Sequence, residues 1–178
     1  MAFTFTHLRG RVPSFHKSKM STTPTELDAC VRRAVELFKS GFNCSQSVVC
    51  AFAHLYGFTE EQALRMSASF GGGIGRMRQT CGAACGMFLL AGLETGCTDP
   101  TDREGKASNY ALVQRLAEEF KQANGALVCA DLLGLSRTAD TPPTPEARTA
   151  QYYAKRPCSQ IVEEAARIWA NYLKKQLP

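Results

Sequence analysis

The stretches Thr23-Pro24-Thr25-Glu26 and Thr59-Glu60-Glu61-Gln62 each place a threonine three residues ahead of Glu or Gln, just before apolar residues at helical spacing. In such a capping box the threonine oxygen takes the third residue's N–H, and the Glu or Gln reaches back to the threonine N–H. Two otherwise orphaned donors are satisfied at once. Pro24 stands at the first helical position, where its missing N–H costs nothing. Leu27, Val31, Ala34, Val35 and Phe38 then recur at helical spacing, and Gly41 ends the run. No segment shows the strict alternation of a half-buried strand. The spacing predicts further helices from near Asn43 to Gly57, from Thr59 to just before Gly71, from Thr80 to Thr95, from Asp102 to Gln122, over Cys129–Leu133 and from Cys158 to Lys174. On the longest, Tyr110, Val113, Leu116, Ala117 and Phe120 are expected on one side. Residues 136–150, "SRTADTPPTPEARTA", read as a Pro- and Thr-rich loop. The expected fold is all-α, a compact bundle of about six to seven helices with no repeat period.

A chain of 178 residues, 44% of them apolar, is long enough for one domain with a real core. Its net charge of +5 is unevenly spread. Arg9, Arg11, Lys17 and Lys19 lie in the first twenty residues with no acid beside them, so the remainder is nearly neutral. That distribution argues against nucleic acid as a partner. The tail has no continuous apolar stretch, which argues against a secretory signal. Its basic, Ser-, Thr- and Phe-rich composition loosely resembles a transit peptide, but residues 1–22 read more simply as a disordered basic extension. Residues 23–178 read as a single all-α cysteine-rich domain. No segment approaches the roughly 20 apolar residues of a membrane span.

Eight cysteines are many for such a chain. Without an export signal the expected setting is the cytoplasm, a reducing compartment where clustered thiols more often bind metal or do redox chemistry than form structural disulfides. Four of them fall in the first turn of an expected helix: Cys44, Cys81, Cys129 and Cys158. A helix start presents unpaired N–H groups and a partial positive charge, both of which favour a thiolate. The thiolate is the form that attacks disulfides and binds metals. Cys85 lies one turn into the same helix as Cys81, about 5–6 Å away. It could share a metal with Cys81, relay a thiol exchange or fill the core. Cys30 reads as a core residue, Cys97 as a turn residue, and the Cys50/His54 pair as incidental, because it faces away from the apolar stripe. His54 is the one histidine outside the tail, and its face does not point towards Cys44, which argues against a hydrolytic nucleophile.

"GGGIG" at residues 71–75 is not a phosphate loop, since it follows a helix and lacks the Lys-Ser/Thr of a P-loop. It reads as a turn between two helices. Arg76 and Arg78 beside it could attract an anion, although solvated charge is the default. Gly82 and Gly86 share a helix face that a neighbouring helix or a cofactor could approach closely.

The segments "GFNCSQSVVCAF", "FGGGIGRM", "TCGAACG", "ALVCADLLG" and "RPCSQIVEEAARI" give an early Cys, a CGAxxG motif and two later Cys. In this order the chain resembles the C_GCAxxG_C_C family of redox-active proteins over roughly residues 27–173. Carried across residue by residue, the four family cysteines fall on Cys44, Cys81, Cys129 and Cys158. The resemblance implies a redox role, with an iron–sulfur or other metal centre, and an oxidoreductase or transporter-associated redox partner. Cys50, Cys85 and Cys97 depart from the pattern and leave the number of ligands open. Three chemistries follow. The four cysteines hold an iron–sulfur cluster, they cycle through a disulfide without any cofactor, or they bind zinc that staples a helical binding module without redox activity. As an enzyme the chain would be an oxidoreductase or electron-transfer protein, and no residue selects a substrate.

Overall fold

The computed structural model describes residues 22–136 and 141–177, so nearly all of the basic N-terminal extension lies outside the described residues. Eight α-helices succeed one another: α1 Pro24–Lys39, α2 Cys44–Phe52, α3 Glu60–Ser67, α4 Gly82–Thr95, α5 Arg103–Asn124, α6 Cys129–Leu132, α7 Ala150–Lys155 and α8 Cys158–Lys174. Short 3-10 turns, Ala53–Tyr56 and Ala68–Phe70, prolong α2 and α3. Among the described residues there is no strand, only an isolated antiparallel bridge between Thr80 and Val128. The fold is all-α.

Both threonine capping boxes close as the sequence requires. A third, built on Asn43 and Gln46, opens α2. The helix beyond the expected seven is α7. Thr149 accepts a hydrogen bond from the Tyr152 N–H, and the edge of Tyr153 meets Phe38 at 5.8 Å. A cap and one aromatic face suffice for so short a helix once α1 lies beneath it.

The core is formed where α1 packs on α8, α2 on α4, and α5 closes over α4 and α8. Phe38, Phe52, Phe120, Trp169, Leu27, Met87, Leu90 and Leu116 are fully buried there. Helix α4, "GAACGMFLLAGLET", has almost no polar face, as befits a helix surrounded by others. On α5 the buried row is Leu112, Leu116 and Phe120. Tyr110, expected on that side, is 64% exposed, because it lies past the edge of the stripe facing α4 and α8. No helix among the described residues is long and apolar enough to cross a membrane.

Candidate functional site

Cys44, Cys129 and Cys158 are the first residues of α2, α6 and α8, and Cys81 is the residue that caps α4. Each start is fixed by a different device. At α2, Asn43 completes the capping box and also donates through Nδ2 to the Ala68 carbonyl at 2.8 Å, while Gln46 donates to Leu64 O. Cys44 is thereby held against the end of α3. At α4 and α6 the chain zips to itself: the Cys81 N–H donates to Leu127 O at 2.9 Å and the Cys129 N–H to Gln79 O at 2.6 Å. Pro157 positions the start of α8.

The connection from α3 to α4 is wrapped tightly around these starts. Gly72, Gly73, Ile74, Gly75 and Arg76 all have φ between 56° and 76°, and Arg78 has 59°. Left-handed backbone costs a non-glycine residue about 1–2 kcal/mol, so Ile74, Arg76 and Arg78 carry strain that the surrounding bonds must hold. A Cβ at Gly73 would stand 2.6 Å from the Cys129 Cβ. One at Gly82 would stand 2.7 Å from the Phe70 carbonyl and 3.4 Å from the Cys44 Cβ. Gly86 is approached by Ser45 and Val48 of α2. Close packing of chain on chain accounts for these glycines.

The result is one small cavity lined by Cys44, Cys81, Cys129 and Cys158, with Gly73 and Ile161 among its walls. Its volume is about 20 Å³, room for about one water. Cys81 and Cys129 are buried, while Cys44 and Cys158 are partly exposed. The Cys44 and Cys158 side chains, from opposite ends of the domain sequence, meet in this cavity and each acts on the ionisation of the other. Cys85 does not line the cavity. It is buried within α4, with its thiol 3.8 Å from the Thr80 carbonyl. Cys30, Cys50 and His54 line a separate groove of about 360 Å³ beside Arg33 and Glu60. Cys97 sits 3.3 Å from an Asp102 carboxylate oxygen, away from the four.

Charge around the cavity is asymmetric. Arg78 is near enough to the Cys129 thiol to favour its ionised form. Arg156 precedes Cys158 by two residues and pairs with Glu146. Arg148 donates through Nη2 to Phe42 O at 3.2 Å, two residues before Cys44. Its guanidinium lies 4.6 Å from the Phe38 ring centre and 4.7 Å from that of Tyr152.

The four thiols do not share one electrostatic fate. The Cys44 thiol beside it, helped by Arg156, Arg148 and Arg78 against the cost of burial, brings Cys158 down from an ordinary 9.0 to about 7. Cys44 is pushed well up, because Cys158 holds the charge of the pair and because the Cys44 thiol is buried beside other thiols. Burial drives Cys81 up to about 12. The N–H groups of Ala83 and Ala84 pull the other way without closing a capping bond. Burial also raises Cys129, although Arg78 opposes it. Only Cys158 is lowered, and by Cys44 and the three arginines rather than by its helix start, so the expectation that the helix starts themselves favour thiolates fails at the other three, and at Cys158 the thiolate has a different cause. Desolvation exceeds the helix-start field at the buried sites, and a second negative charge in so small a cavity is repelled by the first.

The donor set suits a tetrahedral metal ion, and a single ion matches the size of the cavity. As the four helix starts stand, no three His, Cys, Asp or Glu side chains among the described residues are grouped closely enough to hold an ion.

Arg148 and Arg156 were not legible as site residues. The former lies in a segment that reads as loop, and the only signal for the latter is its position in "RPC". Arg78 stands out in the sequence only as a charge beside glycines.

A family model described as "Putative redox-active protein (C_GCAxxG_C_C)" matches residues 42–172, which include all four cavity cysteines. The chain is also similar to an uncharacterised protein of Archaeoglobus fulgidus, 27% identical over 160 residues, covering 85% of this chain and 97% of the relative. No solved structure matches.

Proposed function

The chain belongs to the C_GCAxxG_C_C family of redox-active proteins, and from that premise we propose that it is a thiol–disulfide redox protein whose working pair is Cys44 and Cys158. The observation that carries this reading is that these two residues, the partly exposed ones of the four, bring their thiols together in a cavity lined by two more. Cys158, ionised near neutrality, is the attacking group. Its sulfur bonds to one sulfur of a substrate disulfide, the substrate S–S bond breaks, and the departing thiolate takes the proton that Cys44 gives up. Cys44 then attacks the Cys158 sulfur and expels the second substrate thiolate. Two electrons and one proton leave the protein pair, the substrate becomes a thiol and a thiolate, and the protein holds a Cys44–Cys158 disulfide. Cys129 and Cys81 sit behind the pair, where a second exchange could carry oxidation inward. A reducing compartment and a redox partner protein fit this chemistry, because the oxidised pair must be reduced again.

Peptide mapping of the protein after mild oxidation tests the reading. A Cys44–Cys158 cross-link is expected, lost in Cys44→Ser and Cys158→Ser and retained in Cys81→Ser. A random mixture of pairings would sink it.

A second reading, a metal held by the four thiols, is favoured by one fact: a disulfide needs two cysteines and the cavity has four. Cys44, Cys81, Cys129 and Cys158 would hold the ion. Zinc would supply a structural staple, and iron with sulfide would supply electron transfer. Metal and sulfide analysis of protein purified without oxygen distinguishes them, and this reading predicts that Cys81→Ser loses the metal.

A further inference from the structure

Three arginines from separate parts of the chain stand outside the lining of the cysteine cavity and act on it by charge, all three on Cys158. Arg148 is anchored two residues from Cys44, Arg156 stands two residues before Cys158, and Arg78 acts on Cys129 as well. They differ in what occupies them. Arg156 is paired with Glu146. Arg78 stands near a thiol and is held by backbone bonds on both sides, since its N–H donates to Gly72 O and its carbonyl accepts from Ala130. Arg148 lies among the rings of Phe38, Tyr152 and Tyr153, with Nη2 bonded to Phe42 O, and its Nη1 is buried with no hydrogen-bond partner.

A buried guanidinium nitrogen without an acceptor costs free energy that a folded chain ordinarily avoids. Aromatic faces on the guanidinium meet part of its charge, but they offer no acceptor in the plane of the N–H groups. What the position lacks is an anionic oxygen. The protein supplies none at Nη1, although Glu146 is close enough along the chain to bond Arg156 instead. A carboxylate matches the flat donor edge of a guanidinium in geometry as well as charge.

Resting on the thiol–disulfide reading, we propose that the substrate class of this site is a small disulfide bearing a carboxylate, which displaces the partly buried Tyr152 ring from Arg148 and binds its guanidinium, with Arg78 adding to the attraction while Cys158 attacks the sulfur. The exchange balances as before: the substrate S–S bond gains two electrons, Cys44 gives up one proton, and the Cys44–Cys158 disulfide forms. The carboxylate is unchanged throughout and serves only to orient.

Three symmetrical disulfides of similar length separate the possibilities: dithiodipropionate with two carboxylates, uncharged hydroxyethyl disulfide, and cystamine with two ammonium groups. Reduced protein is mixed with each at low salt, and thiol release is followed. Dithiodipropionate is expected to react about tenfold or more faster than hydroxyethyl disulfide, with cystamine slowest, and the advantage is expected to shrink as salt is added. Arg148→Gln is expected to bring the dithiodipropionate-to-hydroxyethyl ratio close to one. Taking the ratio cancels any change in the reactivity of Cys158 itself. Arg78→Gln is expected to lower it less. Should Arg148→Gln fail to fold, the order of rates and its salt dependence in the unaltered protein still decide the matter. Equal rates with dithiodipropionate and hydroxyethyl disulfide, or cystamine fastest, overturn the substrate class and leave the thiol pair standing. No reduction of any of the three overturns the thiol–disulfide reading itself.

Discussion

A thiol that ionises near pH 7 beside one that resists ionisation makes Cys158 and Cys44 experimentally separable. Alkylation of the reduced protein, followed by peptide mapping, is expected to label Cys158 first with a pH midpoint near 7, whereas Cys30 and Cys81, held up to about 11 and about 12, stay unlabelled until far higher pH. Labelling of Cys44 before Cys158 would reverse the assigned roles. The same ionisation acts on stability. Cys158 ionises at about 7 in the folded protein and nearer 9.0 when unfolded, so between those values the unfolded chain holds more protons. The stabilisation is present above the unfolded value and is lost as pH falls through 7. Melting temperatures of reduced protein and of Cys158→Ser, compared from pH 6 to pH 8.5, are therefore expected to diverge, with the unaltered protein gaining as pH rises. Parallel curves would remove the ionised Cys158 from the mechanism.

Helix α4 carries glycines with opposite consequences for substitution. Gly82 has the Phe70 carbonyl 2.7 Å from where a Cβ would stand, and a backbone oxygen cannot rotate aside. Gly82→Ala is expected to destabilise by about 1–3 kcal/mol. Gly92 lies in the same helix with nothing within 4 Å, so Gly92→Ala is expected to stabilise by up to about 1 kcal/mol. Thermal unfolding of the two variants checks both signs, and equal effects would contradict the close approach of α2 and α3 to the start of α4. This element also shows how far the sequence could be read. The shared face of Gly82 and Gly86 signals a close neighbour, and the helix starts at Cys44, Cys129 and Cys158 follow from local caps and breaks, because such information is written within a few residues. The α2 box was missed because Asn43 takes the place of threonine, and α7 because its aromatic face has meaning only against Phe38. Most of all, nothing local brings Arg148 to Cys44, or reveals that burial outweighs the helix-start field at Cys81. Those depend on what the finished fold excludes from water.

Across the whole domain, a bond between Cys44 and Cys158 would join the first residue of α2 to the first residue of α8 and enclose most of the described chain. Closing a loop of order 100 residues restricts the unfolded state by about 5 kcal/mol where the native geometry accepts the link, which for a domain of this size is of order 10 °C. Calorimetry is expected to show the oxidised protein melting above the reduced one, and a lower transition on oxidation would mean that the link strains the fold. Trp169, the only tryptophan in the chain, lies on α8, fully buried and stacked on Tyr172 with ring centres 5.0 Å apart. The helix whose first residue is Cys158 thus carries the molecule's sole long-wavelength fluorophore three turns further on. Any shift of that helix as the sulfur changes partner is written into emitted light, so the redox state of the site can be followed in real time without attaching a dye.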